Sequence, residues 1–543
     1  MTGNRENSRA PLAALVVCAI LVLVASVVIV VPEKTLTKTS LASATSTSTR
    51  AVRACQGPID ARQAGQSAGD ADFAGGAPAP TVSMSAIALD PTSNALYGVE
   101  QSSQTSFEPG PSDAGGKDAA PRIARLDAEG NATEVDPATS ALLNAVYSLE
   151  TLEDSSVVTA STADGSEPVV DATQAHVTGS GDYRGFALSR CARATTAASF
   201  AGLTTRAGTS DALVLINPGS RASRARVTAF SENGVEPATQ GSDIVVGPGE
   251  TIRVPLATLV DERETVALDV EVHGTALAMS AELVRRDGLV PMGTEHVQPS
   301  TPESTLVFPG VAVRDGGSAH LALARTARGG ALGDPASVRA EDSIATARAF
   351  DSKGAVMKEW EVKDPGQGAS IDTALEGLDS GTYTIIVSAR SSVVGTVNSR
   401  VASGARQGDT VGLPQDFATY TPVEGIDSAS ILALGRGAAG GTLTLESESG
   451  AQLSVAVIKR DGSIGTGAAH ELEAGHSLTL AASDLAEDPS SIAGVIVVSQ
   501  DGGLYRGSWS QAIAADDGGT LVTTLPLIAN AARATGMTVR VEH

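Results

Sequence analysis

The sequence is poor in aromatic residues: they make up 3% of its 543 residues, although 42% are hydrophobic. The apolar content is therefore mostly Ala, Val, Leu and Ile, enough to build cores from β-branched strands. The chain is also too long for one core, because a single hydrophobic core seldom serves more than about 250–300 residues. These numbers favour several β domains in tandem.

Basic residues are scarce as well. Lys and Arg number 38 against 62 Asp and Glu, for a formal net charge of -24. They are scattered singly, without the basic face that contacts with phosphates require, so the sequence predicts no nucleic-acid partner. The same acidity would repel anionic lipid headgroups and cell-wall polyanions unless cations bridge them, and solubility alone is enough to explain it.

Long apolar runs are absent with one exception, the 20 residues from Leu12 to Val31. At about 1.5 Å per residue a helix of this length spans about 30 Å, the thickness of the bilayer hydrocarbon. A cleaved signal peptide is the alternative, but its apolar core is usually about 7–15 residues long and is followed closely by the cleavage site. We therefore expect the plasma membrane to be a partner through residues 12–31, which would form a single transmembrane helix.

The charges on the two sides of this run are similar, so orientation depends on the residues C-terminal to it. Residues 32–54 are rich in Ser and Thr and predict a solvated stalk. Of three cysteines one lies in the apolar run, which leaves Cys55 and Cys191 beyond the stalk. A disulfide between them would suit an oxidising compartment, and two unrelated buried thiols are the alternative. We expect a cytoplasmic N-terminus, residues 1–11, and an extracellular C-terminal bulk.

Internal repeats organise the remainder. Three segments, GETIRVPLATL (249–259), GASIDTALEGL (368–378) and GHSLTLAASDL (475–485), share one ungapped pattern. Upstream strands resembling LVLIN (213–217) recur at intervals close to 110 residues, as LALAR (321–325) and ILALG (431–435). That interval is too long for a solenoid and fits tandem β-sandwiches of immunoglobulin-like size.

The predicted domains are set by these repeats. A turn element in RLDAEG (125–130) suggests a divergent first copy that also carries a Gly/Ser-rich flexible insertion. The fold class is mainly β. The expected domains are residues 55–193 with insertion 102–121, then sandwich repeats over residues 194–300, 301–407 and 408–543.

The segments LVLINPG (213–219), VVGPGETIRVPL (245–256) and VEVHGTALAMSAELVRRDG (270–288) resemble an uncharacterised actinobacterial secreted or membrane-anchored family, domain of unknown function 5719. The resemblance is sharpest over residues 191–297, and Cys55 and Cys191 match the places of two cysteines in that family. Where the family usually has Trp after the second cysteine, this chain has Ala-Ser-Phe. The resemblance implies placement outside the membrane and β architecture, and it brings no activity, cofactor or site residue.

Two glycine motifs imitate catalytic or cofactor sites. Gly65-Gln66-Ser67-Ala68-Gly69 has the form of a nucleophile elbow but lacks the entering strand and leaving helix. Gly435 to Gly440 has the form of a dinucleotide fingerprint, but the adjoining TLTLESES (442–449) alternates as a strand, so we expect a hairpin turn. Asp70 and Asp72 suggest a calcium loop but lack further oxygen ligands at the required spacing.

His470 and His476 have carboxylates nearby but not at a metal-ligand spacing, and the two tryptophans, Trp360 and Trp509, are expected in cores rather than on a sugar-binding platform with Tyr505. We therefore predict no enzyme, catalytic residue, metal or cofactor. The expected role is a cell-envelope structural or interaction module with a protein or glycan partner. An envelope glycan-processing enzyme, or an accessory subunit of a membrane complex, is the alternative.

Overall fold

The computed structural model describes part of the chain. The described ranges are residues 42–45, 50–59, 78–97, 120–127, 131–140, 143–163, 165–181, 183–288, 290–326, 344–363, 369–402, 413–435, 437–530 and 536–539. Within these ranges no helix is long and apolar enough to cross a membrane. The predicted transmembrane segment 12–31, and residues 102–119 of the predicted insertion, lie outside them.

The described chain is mainly β, with one four-residue α-helix, α1 (Ala482–Leu485), and short 3-10 turns at Asn94–Tyr97, Gln240–Ser242, Leu256–Thr258, Ala438–Gly440 and Pro489–Ser491. The strands, in chain order, are β1 (Ala42–Thr45), β2 (Ala51–Cys55), β3 (Thr81–Leu89), β4 (Arg122–Leu126), β5 (Ala132–Glu134), β6 (Ala138–Ser140), β7 (Asn144–Leu149), β8 (Ser156–Ser161), β9 (Val169–Thr178), β10 (Gly185–Arg190), β11 (Ala194–Thr195), β12 (Ala197–Leu203), β13 (Ala212–Ile216), β14 (Ser223–Ser231), β15 (Gly234–Val235), β16 (Asp243–Val246), β17 (Thr251–Pro255), β18 (Val266–His273), β19 (Leu277–Asp287), β20 (Val290–Val297), β21 (Glu303–Val313), β22 (Ser318–Ala324), β23 (Ile344–Phe350), β24 (Val356–Lys363), β25 (Ser370–Ala374), β26 (Gly381–Ala402), β27 (Gln415–Tyr420), β28 (Ala429–Ala433), β29 (Gly441–Glu446), β30 (Ala451–Lys459), β31 (Ala468–Leu472), β32 (Ser477–Ala481), β33 (Ile492–Ser499), β34 (Arg506–Ala514), β35 (Thr520–Pro526) and β36 (Gly536–Val539).

The chain divides into two units. In the smaller unit β1 and β36 pair antiparallel, so a segment near the start of the described chain pairs with one near its end. The larger unit, Ser48–Ala532, holds all other strands.

The larger unit consists of four β-sandwiches with one strand order in common. The first sandwich comprises β2 to β10, the second β11 to β20, the third β21 to β27 and the fourth β28 to β35. In one sheet the strand order is β2-β8-β4-β5 in the first sandwich, β12-β18-β14-β16 in the second, β21-β26-β23-β24 in the third and β28-β33-β30-β31 in the fourth. In the other sheet the order is β10-β9-β3-β7 in the first sandwich, β20-β19-β13-β17 in the second, β27-β26-β22-β25 in the third and β35-β34-β29-β32 in the fourth. The divergent first copy thus has the same topology as the other three.

Alternation along the strands builds each core. In β14, Ala225 and Val227 are buried while Arg224 and Arg226 face solvent, because successive side chains of a strand point to opposite faces of the sheet. In the third sandwich the two sheets share the 22-residue strand β26, whose first half pairs with β21 and β23 and whose second half pairs with β22 and β27.

The sandwiches do not form the open row that tandem repeats suggest: their contacts close a cycle. Apolar residues are shared between the first and second, the second and third, and the fourth and first sandwiches. Val522 of the fourth sandwich also enters the core of the third. Each sandwich therefore packs on two others, and the last packs on the first.

Three expectations need adjustment. Strand β2 begins at Ala51, inside the predicted stalk of residues 32–54, because it pairs with β8. The first three residues of ILALG (431–435) lie in β28, which is equivalent to β12. The counterpart of LVLIN in the fourth sandwich is β29. Strand β27, beyond the predicted boundary at residue 407, completes the third sandwich because it pairs with β26.

Candidate functional site

Two of the three segments that carry the family resemblance, residues 213–219 and 245–256, build one wall of a surface cleft. Asn217 lies just after β13 and is fully buried; its side-chain amide donates to the carbonyls of Arg221 and Val246, and its Oδ1 accepts from Gly219 N. Its backbone carbonyl also accepts from Gly249 N. One amide side chain therefore fixes both the NPG loop and the PG turn.

The opposite wall belongs to the first sandwich. Gly57 has a positive φ of 78° and approaches Ser155 so closely that an added Cβ would lie 2.6 Å from Ser155 N. Gln174 holds Gly57 from the other side, accepting from its N–H at 3.0 Å and donating to its carbonyl at 2.9 Å. The hydroxyl of Ser155 lies 2.8 Å from that of Thr251, which joins the two walls.

Between these walls lies a cleft of about 1210 Å³. Its lining combines prolines and glycines with side chains of both charges. The members are Arg50, Pro58, Ala79, Pro80, Arg125, Leu126, Asp127, Thr151, Leu152, Glu153, Asp154, Ser155, Val157, Ile216, Pro218, Gly219, Ser220, Pro248, Gly249, Thr251 and Arg253. A preformed polar cleft at a domain boundary is a common form of binding site.

The guanidinium of Arg253 ties the second sandwich to the first at this cleft. Its Nη2 donates to the carbonyls of Gln56 at 2.6 Å and Pro58 at 3.0 Å, and its Nε pairs with Glu282. Burial raises the pKa of the Glu282 carboxyl, and the charge of Arg253 opposes that rise.

The segment that Arg253 binds lies directly after Cys55. The structure joins Cys55 to Cys191 in a disulfide, with the two Cα atoms 4.2 Å apart. Both cysteines are fully buried in the core of the first sandwich, between its two sheets. The bond links the start of this sandwich to the point where the chain enters the second one, and so holds the edge of the cleft.

A second polar site lies where β10, β20, β27 and β35 meet; we call it the junction. These are edge strands, one from each sandwich, and Thr523 of β35 contacts two of the others. Its hydroxyl accepts from Leu188 N at 2.8 Å and donates to Glu295 Oε2 at 2.9 Å. The preceding amide, Val522 N, donates to Asp416 Oδ2 at 2.7 Å. Two consecutive residues of the fourth sandwich therefore bond to the other three.

Burial dominates the electrostatics of the junction. It raises the pKa values of the Glu295 and Asp416 carboxyls well above their usual range. The charge of Asp416 raises the pKa of Glu295 further. Nearby, burial lowers the pKa of His296 well below its ordinary value and that of His176 to about 4. The imidazole Nδ1 of His296 lies 3.1 Å from Gln56 Nε2.

Two ion pairs with buried arginines support the contact between the first and fourth sandwiches. Arg184 donates to Asp517 at 2.5 Å. Arg190 pairs with Asp171 at 2.7 Å, and Asp171 also accepts from Ala433 N at 2.9 Å. Such pairs hold the contact mainly because breaking one would leave a buried charge without its partner.

The sequence motifs that fall within the described residues lie apart from both sites. The segment around Gly435 enters a 3-10 turn before β29, in place of the helix that a dinucleotide site needs. Trp509 and Tyr505 are fully buried in the core of the fourth sandwich, and Trp360 is half-buried with its indole N–H on the Glu376 carbonyl. Residues 65–69, Asp70 and Asp72 lie outside the described residues.

His476 Nε2 lies 3.6 Å from Glu473 Oε2, and His470 stands on β31 opposite Leu453. In the described part of the chain no group of three or more His, Cys, Asp or Glu side chains could hold a metal ion.

Comparison with known proteins gives a family and distant structures. The model of a family of unknown function, DUF5719, matches residues 146–483. No curated protein matches the chain. Among solved structures, a tetra-tandem repeat from the extending region of a large adhesion protein is 12% identical at a TM-score of 0.10, covering 76% of this chain and 92% of its own. The full-length RrgB pilus protein of Streptococcus pneumoniae is 10% identical at 0.09, covering 75% and 86%. Scores this low do not establish a shared fold.

Proposed function

Since the chain belongs to DUF5719, a family of unknown function, we propose from its own architecture that it is a non-catalytic interaction module of the cell envelope. It is anchored in the plasma membrane by residues 12–31 and carries its four sandwiches on the outer face. A cell-envelope protein or glycan is its partner.

One observation carries this proposal: two of the three segments by which the chain resembles its family, residues 213–219 and 245–256, converge on an open cleft. Pro248 and Ser220 are exposed there, whereas Asn217 is buried beneath them and holds both loops. Folding of the second sandwich does not by itself require that the exposed loops at Ser220 and Pro248 have a fixed shape beside the first sandwich. A rigid, exposed wall of this kind suits recognition of a partner, because little conformational entropy is lost on binding.

The anchor and orientation rest on the sequence and on the disulfide. The 20-residue apolar run has the length of a bilayer span, and a Cys55–Cys191 bond suits an oxidising compartment. Protease added to intact spheroplasts is expected to digest the region beyond residue 50 and to spare the first residues. Protection of that whole region would contradict the proposed orientation.

The role of the cleft is tested by crosslinking in intact cells. A photoreactive amino acid at Ser220 or Pro248 is expected to capture a specific envelope component. The matched control is Val245, which lies on the same sandwich, is 63% exposed and does not line the cleft. Equal capture from all three positions, or none from the cleft positions, would count against the proposal.

A glycan-processing enzyme is a second candidate because three carboxylates, Asp127, Glu153 and Asp154, line the cleft. Glycoside hydrolysis uses two carboxyl groups about 5–10 Å apart. Release of soluble sugar from purified cell-wall glycan, abolished in Glu153→Gln or Asp154→Asn, would favour the enzyme over the binding module. If the protein is instead an accessory subunit of a membrane complex, replacing residues 1–31 by an unrelated anchor should abolish its effect in cells.

A further inference from the structure

Two buried carboxyl groups from different sandwiches lie together at the junction. Glu295 of β20 and Asp416 of β27 are both inaccessible to solvent. Their partners are uncharged: Glu295 accepts from Thr523 Oγ1 and His296 N, and Asp416 accepts from Val522 N. Two like charges near each other in a dry site repel each other, so such a pair favours retention of a proton by at least one of its members.

The junction offers little positive charge to offset them. Strand β35 has the sequence TLVTTLP and carries no ionisable side chain. The charged and titratable groups that face the pair from the surrounding elements are Arg184 before β10, Arg190 on β10, His296 on β20 and Tyr420 on β27. Arg184 and Arg190 already pair with Asp517 and Asp171.

Close backbone packing also limits the space for water. A Cβ added at Gly293 would overlap Asp416 Oδ1, and one added at Gly185 would overlap Thr294 Oγ1. Among the described residues neither of these two oxygens has a hydrogen-bond partner. A carboxyl oxygen pressed against a glycine Cα and lacking any donor is better suited to a neutral carboxylic acid than to a carboxylate.

We propose that the junction is a proton-dependent closure: the fourth sandwich stays docked on the other three while Glu295 and Asp416 retain at least one proton, and its loss loosens β35. This goes beyond the proposed binding role and does not depend on the membrane anchor. The junction opens as pH rises, because the folded form binds a proton that the opened form releases. For each retained proton, the equilibrium constant for opening rises by about tenfold per pH unit. This holds between the pKa of the carboxyl in the opened form and its higher pKa in the folded form.

The test is amide hydrogen exchange of the full-length chain in detergent between pH 5 and 9, corrected for intrinsic exchange rates. Peptides that cover β35 and β10 contain the Val522 and Leu188 amides, which bond across the junction. Their protection is expected to fall by about tenfold per pH unit, while peptides from the buried strand β33 change less. Unchanged protection of β35 and β10 across this range would overturn the proposal.

The double variant Glu295→Gln/Asp416→Asn keeps the shape and removes both titrating carboxyls, and it is expected to flatten the pH dependence. The control is Glu446→Gln, a buried carboxyl of the fourth sandwich that pairs with Arg506, away from the junction; it should keep the wild-type slope. A wild-type slope in the double variant would refute the proposal. If the double variant fails to fold, the infrared carbonyl band of a protonated carboxylic acid in the wild-type chain near pH 6 decides: its absence refutes the retained proton.

Discussion

Replacing Thr523 by Val should loosen the whole larger unit, although the two side chains have nearly the same shape. The hydroxyl of Thr523 bonds across the junction, to Leu188 N and to Glu295. Its loss leaves a buried N–H and a buried carboxyl oxygen unsatisfied, at about 1–3 kcal/mol each. We expect the free energy of unfolding to fall by about 2–5 kcal/mol.

The assay is denaturant unfolding followed by far-UV circular dichroism, with Thr524→Val as the control. Thr524 is the next residue and is also buried, but its hydroxyl donates to the Trp509 carbonyl inside the fourth sandwich, at 3.2 Å. The control should cost about 1 kcal/mol. Equal destabilisation by the two substitutions would refute the view that Thr523 links the sandwiches.

Three further outcomes are expected. Removing the Cys55–Cys191 bond, which closes a separation of 136 residues, should lower the free energy of unfolding by up to about 5 kcal/mol on the chain-entropy model, seen as a lower melting temperature; an unchanged value would contradict this. His176 should contribute a loss of at most about 3 kcal/mol as pH drops from 6.5 towards 4, because its imidazole is neutral when folded with a pKa of about 4; the unfolding free energy of the wild type relative to His176→Gln should therefore fall over this range, and a constant difference would contradict this. Gly441→Ala should perturb tryptophan fluorescence and destabilise the fourth sandwich because its Cβ would overlap the buried indole ring, whereas Gly435→Ala, with nearest contacts at 3.4 and 3.8 Å, should have little effect.

The sequence predicts the tandem β architecture well because each repeat carries its own local signals. Alternation predicts strands such as β14, and the Gly-initiated pattern of residues 249–259 and 475–485 marks the same edge strand, β17 and β32, in two sandwiches. The pattern predicts the wrong counterpart of LVLIN in the fourth sandwich because ILALG has the same apolar composition. The two strands, β28 and β29, are distinguished by the strands with which they pair, and local sequence does not encode that pairing.

Closure of the cycle has no comparable local signal. Glu295 and Asp416 are the single acidic residues of two edge strands, VPMGTEHV and QDFATY, where a charged side chain normally faces water. Glu295 and Asp416 are buried because of contacts with residues more than a hundred positions away in the sequence. Arg253 is equally inconspicuous in TIRVP, yet it joins two sandwiches. The Asn-Pro-Gly segment is noticeable in the sequence, but its place on a cleft wall depends on the neighbouring sandwich.

Contact between the first and fourth sandwiches is most directly tested by a distance between two spin labels. Labels at Ser180→Cys and Gly518→Cys, in a Cys18→Ser background, flank the place where Asp516 N donates to the Gly179 carbonyl at 2.8 Å. A closed cycle predicts a double electron–electron resonance distance of about 25 Å or less, the reach of two labels on adjoining loops. An open row would insert two domains of about 30 Å each between the labels, and a distance beyond about 60 Å would contradict the closed arrangement.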